Sequence, residues 1–369
     1  MAAIADGLVA LHSSDPVSVY LSAAARMVAP SIEMVEQALY EDRTVIRHHA
    51  MRRTLWVFSP AVARLAHASS TRKLLAPEQR RFEKMIEGTG VTNDGAAWFA
   101  RARSEVLDAL ASLGIATTRE LGDAVPGLKV PITLSVGKKY EGTLGAHTRV
   151  LLLLGFEGAI VRVRPTGSWI NGQYRWTSMA SWCPGGIDGV DPAKAGASLV
   201  NRWLYAFGPA STADVQWWTG WPLAATRHAL AACGAEPVTV ADGDAWLAAG
   251  DLDVVTNDEP SVALLPALDP TAMGWKQRDW YLDPPHTAQL FDRNGNGGPT
   301  IFLNGRIVGG WVQRRTGEIA TRVFEDVGSE AAAAIGAAAE QLAALLGAVR
   351  VTVRFPAALQ GELLRDELL

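Results

Sequence analysis

Apolar positions recur at helical spacing through the first two thirds of the chain and alternate in strand fashion through the last third. Residues 96–113 align Val106, Leu107, Leu110 and Leu113, and residues 197–207 align Leu199, Trp203, Leu204 and Phe207, so each predicts an amphipathic helix. Each stretch meets a glycine, Gly114 or Gly208, and then a helix-start signal: Thr117 with Glu120, and Ser211 with Asp214. In such a capping box the hydroxyl and the carboxylate satisfy each other's free backbone N–H groups. The two copies lie at an offset of 94 residues.

The segments after the boxes are also alike. Behind Ser211, a helix stopping near Gly220, a second over 222–233, and a hairpin of strands 237–240 and 245–248 are predicted. Behind Thr117 come a longer loop, a helix over 144–154, and strands 159–164 and 174–178 joined by a glycine-rich turn. The N-terminal stretch follows suit. Asp15 is a good N-cap with Pro16 at the first helical position, a second helix starts after Ser31, and strands 45–48 and 54–58 flank a turn. Helices followed by a hairpin are the order of a winged helix, which sets one helix in a groove with the hairpin beside it. In the last third, strands are expected at 261–267, 300–303, 306–313, 318–324 and 349–355, with turns at Asn304-Gly305 and Thr316-Gly317 and a helix over 329–346. The fold class is therefore α+β: three tandem winged-helix units over 1–93, 94–196 and 197–255, then a small antiparallel β-barrel with a helix over 256–369.

Composition narrows the function. The chain has 369 residues, 49% hydrophobic and 20% charged, which excludes an extended disordered protein. No apolar run reaches a membrane span, and the N-terminus lacks the basic start of a signal peptide, so a cytoplasmic location is expected. Cys183 and Cys233, 50 residues apart, form neither a paired-cysteine zinc site nor a disulfide framework. The Asp292-Arg-Asn294-Gly-Asn296 run opens like a calcium loop, but Leu303 stands where the bidentate Glu belongs, so it reads as a turn. Phosphate-loop, nucleophile-elbow and His-Glu-x-x-His motifs are absent, and no metal or cofactor is expected.

The net charge of −4 excludes a uniformly basic nucleic-acid binder but hides an asymmetry. From Arg43 to Lys84 there are ten bases and two acids; from Glu236 to Glu259 there are seven acids and no base. From Arg162 to Trp176, Arg162, Arg164 and Arg175 interleave with Trp169, Tyr174 and Trp176 and no acid. Arginine pairs with phosphate bidentately and rings stack on bases, so this strip is a polyanion signal.

Five blocks resemble one family. They are Leu11-His12-Ser13-Ser14-Asp15-Pro16, Leu39-Tyr40-Glu41-Asp42-Arg43, Met51-Arg52-Arg53-Thr54-Leu55, Gly167-Ser168-Trp169-Ile170-Asn171-Gly172-Gln173-Tyr174-Arg175-Trp176, and Leu264-Leu265-Pro266-Ala267-Leu268-Asp269-Pro270. Together, in this order and over nearly the whole chain, they are similar to the AlkZ/YcaQ-type winged-helix DNA glycosylases. The resemblance implies a C-shaped body cradling double-stranded DNA, working as a monomer in base excision repair. It implies hydrolysis of the N-glycosidic bond of alkylated, N7-adducted purines, with unhooking of crosslinks in some members. The family's signature is Gln, an apolar residue, then Gln or Asp before a helix; His12, Ser13 and Ser14 stand there. His12 is the candidate to take a proton from the attacking water, and Ser14 to orient it. Alternatively Ser14 helps cap the helix and His12 packs beside it, as in a non-catalytic winged-helix DNA-binding protein. The candidate DNA contacts are Arg43, Arg47, Arg52 and Arg53; Arg162, Arg164, Trp169, Asn171, Gln173, Tyr174 and Arg175; and Arg314 with Arg315 at a hairpin tip.

Overall fold

The computed structural model describes all residues except 135–136, 138–140, 254–258 and 366–369. The expected boundary at 255–256 lies outside the described residues. Contacts divide the chain into Met1–Ala38 with Val200–Leu369, and Leu39–Leu199.

In the first unit, the Asp15 carboxylate accepts from the Val17 amide and Pro16 opens helix Pro16–Ala24. Ser31 caps helix Ile32–Glu36 through the Met34 amide. Four antiparallel strands follow in sheet order Val262–Leu265, Thr300–Leu303, Arg306–Gln313, Ile319–Val323. Asn304 and Gly305 take positive φ of 49° and 84° between Leu303 and Arg306, as a two-residue hairpin of their type requires. Helix Gly328–Leu346 packs on this sheet, and helix Ala358–Arg365 packs on strand Arg306–Gln313. Leu265, Leu282, Leu290, Ile307 and Val312 are among the buried core residues beneath it.

The expected barrel is not closed: among the described residues this sheet is open and four-stranded. The predicted strand at 349–355 is irregular. Its backbone is held by a side chain instead of a ladder: Gln313 donates from Nε2 to the Val349 carbonyl and accepts from the Val351 amide.

The second unit pairs strand Ile46–His49 with Leu55–Phe58, and Ile160–Pro165 with Tyr174–Ser178. Helices Arg72–Glu87, Gly95–Leu113 and His147–Glu157 enclose a core with Phe82, Phe99, Val106, Val150 and Leu154. Leu144, expected to open a helix, lies in a hairpin, Pro131–Leu134 with Gly142–Gly145. The helix starts at His147 and ends at Gly158, whose φ of 73° suits glycine.

The repeat is structural. Thr117 accepts from the Glu120 amide while Glu120 accepts from the Thr117 amide, and Ser211 with Asp214 does the same. Ahead of each box, an alanine pairs with a tryptophan by two backbone hydrogen bonds: Ala116 with Trp176, and Ala210 with Trp246. Each indole then donates to the threonine that begins the helix, Trp176 to Thr118 at 3.0 Å and Trp246 to Thr212 at 2.9 Å. Thus each hairpin is tied back to the start of its helix by the same three bonds.

Candidate functional site

In the first unit the candidate centre is the segment ahead of helix Pro16–Ala24. His12 is 4% exposed and Ser13 is buried beside it. The Ser14 amide donates to His12 Nδ1 at 3.4 Å. At 3.4 Å the bond is weak and exchangeable. The Ser14 hydroxyl makes no hydrogen bond among the described residues, because the cap is Asp15 instead. Burial pushes the Asp15 carboxyl above its ordinary range, partly offset by the Val17 amide and by Arg354. Arg354 donates to the Ser14 carbonyl at 3.0 Å. This residue was not anticipated, because it falls on the segment read as a strand.

The helix is anchored from its other end. Arg26, just past helix Pro16–Ala24, grips Asp269 with two parallel bonds of 2.8 Å and Thr271 with a third of 2.7 Å. Asp269 is fully buried. Burial pulls the Arg26 guanidinium down, but the Asp269 charge and hydrogen bonds more than reverse this. Ser18 donates to the Ala267 carbonyl. The Leu264–Pro270 block therefore serves to hold the helix whose mouth carries His12 and Ser14.

In the first unit's hairpin tip, Arg314 pairs with Glu318 and Arg315 is exposed, while Arg350 braces the tip by donating to the Arg315 and Thr316 carbonyls.

In the second unit the arginines and aromatics come together, but largely on each other. Arg47, expected to grip phosphate, is 3% exposed; it stacks 4.7 Å from the Tyr174 ring and donates to the Tyr40 hydroxyl. Arg164 lies over Tyr40 at 4.8 Å and pairs with Glu41. Arg162 covers Trp176 at 4.6 Å and donates to the His49 ring. Arg175 donates to the Arg164 carbonyl across the hairpin. Asn171 closes the turn, donating to the Thr166 carbonyl and accepting from the Gln173 amide. Arg43 stacks over Trp182 at 4.1 Å, and Arg53 pairs with Glu78. Arg43, Arg53 and Gln173 are exposed; Arg52, Trp169 and Tyr174 are half-buried. Arg43, Arg52 and Arg53 all have positive φ, so the loops that carry them are tightly turned.

A histidine cluster that the sequence reading did not group lies behind the hairpin. His48 Nε2 meets His67 Nδ1 at 3.1 Å, and His67 Nε2 meets Asp188 at 3.1 Å. Burial, then His67 and Arg162, hold His48 well below the usual imidazole range; burial, then Arg162 and His48, do so for His49. The folded state therefore keeps both rings neutral where the unfolded chain protonates them. Below the unfolded value of about 6.5 the unfolded state binds more protons, so stability falls with pH by up to about 1.4 kcal/mol per pH unit for each ring. A thermal-denaturation series should show the midpoint dropping as pH falls from about 7 toward 5, and a flat profile would contradict the buried neutral rings.

Among the described residues no helix is long and apolar enough to cross a membrane. A family model described as "DNA glycosylase AlkZ-like" matches residues 5–345. The structure of Streptomyces sahachiroi DNA glycosylase AlkZ is similar in fold, with a TM-score of 0.70 and 21% identity, covering 95% of this chain and 92% of that one. No curated protein matches the chain.

Proposed function

Because the chain belongs to the AlkZ-like DNA glycosylase family, we propose that it is a DNA repair enzyme that hydrolyses the N-glycosidic bond of N7-alkylated purines, including those in crosslinks. The observation that carries this reading is the His12–Ser14 segment: an imidazole beside a hydroxyl with no partner among the described residues, at the rigid mouth of a helix. An N7-alkylated purine is already cationic, so it leaves without a strong acid. Water forms its bond to the anomeric carbon as the bond to the purine N9 breaks, and that electron pair neutralises the departing base. The water's proton passes to His12 Nδ1, which gives up its 3.4 Å contact with the Ser14 amide to receive it. The Ser14 hydroxyl orients the water. Holding this water beside an oxocarbenium-like sugar is the main task of the site.

In this reading residues 1–93, 94–196 and 197–255 are winged-helix units, the second and third supported by the two matched capping boxes and tied hairpins. Residues 256–369 form the sheet-and-helix module. Arg43, Arg52, Arg53 and Arg315 contact phosphates; Trp169, Asn171, Gln173 and Arg175 present the hairpin to a groove. Arg47 and Arg164 support the tyrosines that shape it.

One observation favours a second reading. His12 is nearly buried, as expected of a packing residue in a non-catalytic DNA-binding protein.

The DNA side of both readings is tested by salt. Binding to undamaged duplex should weaken steeply as salt rises, with a log–log slope of about −0.9 per phosphate contacted. Arg52→Ala with Arg53→Ala should weaken all sequences alike and flatten the slope. Salt-independent binding, or none at low salt, would remove duplex DNA as the partner.

A further inference from the structure

The hairpin of the 39–199 unit borders an open cavity of about 710 Å³, a size suited to a small ligand or part of a larger one. Its polar lining includes Arg119, His147, Thr148, Arg162, Gln173 and Tyr174, and no carboxylate lines it. Arg162 differs from the other arginines described above. Arg26, Arg53 and Arg164 each face an acid. Arg162 has no acidic partner among the described residues; it donates to the His49 ring, and its flat face lies on Trp176. Burial pulls its guanidinium down to about 10, and neighbouring Arg47 adds to this. A half-buried cation without a counter-charge is costly, and an anion reaching it recovers that cost through charge-assisted hydrogen bonds. The Tyr174 hydroxyl on the same wall is buried without a hydrogen-bond partner, so an acceptor entering there would satisfy it.

We propose that this cavity is a phosphate-binding site, with Arg162 and Arg119 as its cations and Tyr174 as a neutral donor, and that its ligand is a backbone phosphate of a DNA strand. This rests on the DNA-binding reading of the same hairpin and extends it to residues on the neighbouring helices. The same chemistry would also hold a free phosphate ion, so the test has two arms.

In the first arm, undamaged duplex is titrated by fluorescence anisotropy at several salt concentrations. Arg119→Ala should weaken binding and lower the salt slope by about 0.9. Tyr174→Phe should weaken binding by about fivefold without changing the slope, because it removes a hydrogen bond and no charge. Arg162→Gln should act like Arg119→Ala; if it fails to fold, the exposed Arg119 and the hydroxyl-only change at Tyr174 still decide. In the second arm, inorganic phosphate is titrated calorimetrically into the same proteins. Loss of phosphate binding in the variants with duplex binding unchanged overturns the strand assignment. Unchanged binding of both ligands overturns the site. Neither arm involves a lesion or base release, so a protein without glycosylase activity can still pass.

Discussion

Replacing His12 with alanine should lower single-turnover release of an N7-alkylguanine by about 10²- to 10⁴-fold, the usual cost of removing a catalytic base. Ser14→Ala should slow release less, since it removes only an orienting hydroxyl. Neither change should alter affinity for undamaged duplex, because neither residue is placed as a phosphate contact. His12→Gln separates base from water-holder: its amide can grip a water but cannot carry a proton away. It should retain more activity than His12→Ala. Wild-type-like release by His12→Ala would refute the role.

Asp269→Ala should be the most destabilising of the substitutions considered. It removes the buried carboxylate that takes two hydrogen bonds from Arg26 and one from the Thr271 amide. Breaking a buried pair typically costs about 3–5 kcal/mol. Arg26 keeps 22% of its side chain exposed, which places the expected loss near the lower end, about 3 kcal/mol. For a unit of this size the melting midpoint should then fall by roughly 6–12 °C. Release should fall too, because helix Pro16–Ala24 loses its anchor and the His12–Ser14 segment its fixed mouth. Asp269→Asn, which keeps the shape, should lose less. A midpoint within about 1 °C of wild type would show the pair to be dispensable.

What the sequence showed clearly was local chemistry. The capping boxes at Thr117 and Ser211, the Asp15-Pro16 helix start and the Asn304-Gly305 turn each depend on residues within a few positions, and each is found in the structure. The repeat was visible for the same reason; its Trp176–Thr118 and Trp246–Thr212 ties were not, because they span 58 and 34 residues. Alternation alone cannot tell a ladder partner from a side-chain clamp, so residues 349–355 were read as a strand although Gln313 holds them. Charge counting located the basic stretch but not its partners. Arg164 finds Glu41 across 123 residues, and Arg26 finds Asp269 across 243. Counting also made Arg47 look available, where its neighbours bury it against Tyr40 and Tyr174.

The most direct test is single-turnover release of N7-methylguanine from a defined duplex saturated with wild-type protein at about pH 7.5, above the range in which the buried neutral histidines lower stability. Release should exceed spontaneous depurination, and His12→Ala should bring it down toward the spontaneous rate. Release no faster than the spontaneous rate, with all the duplex bound, would contradict hydrolysis at His12–Ser14 and leave a DNA-binding protein that keeps the fold without the reaction.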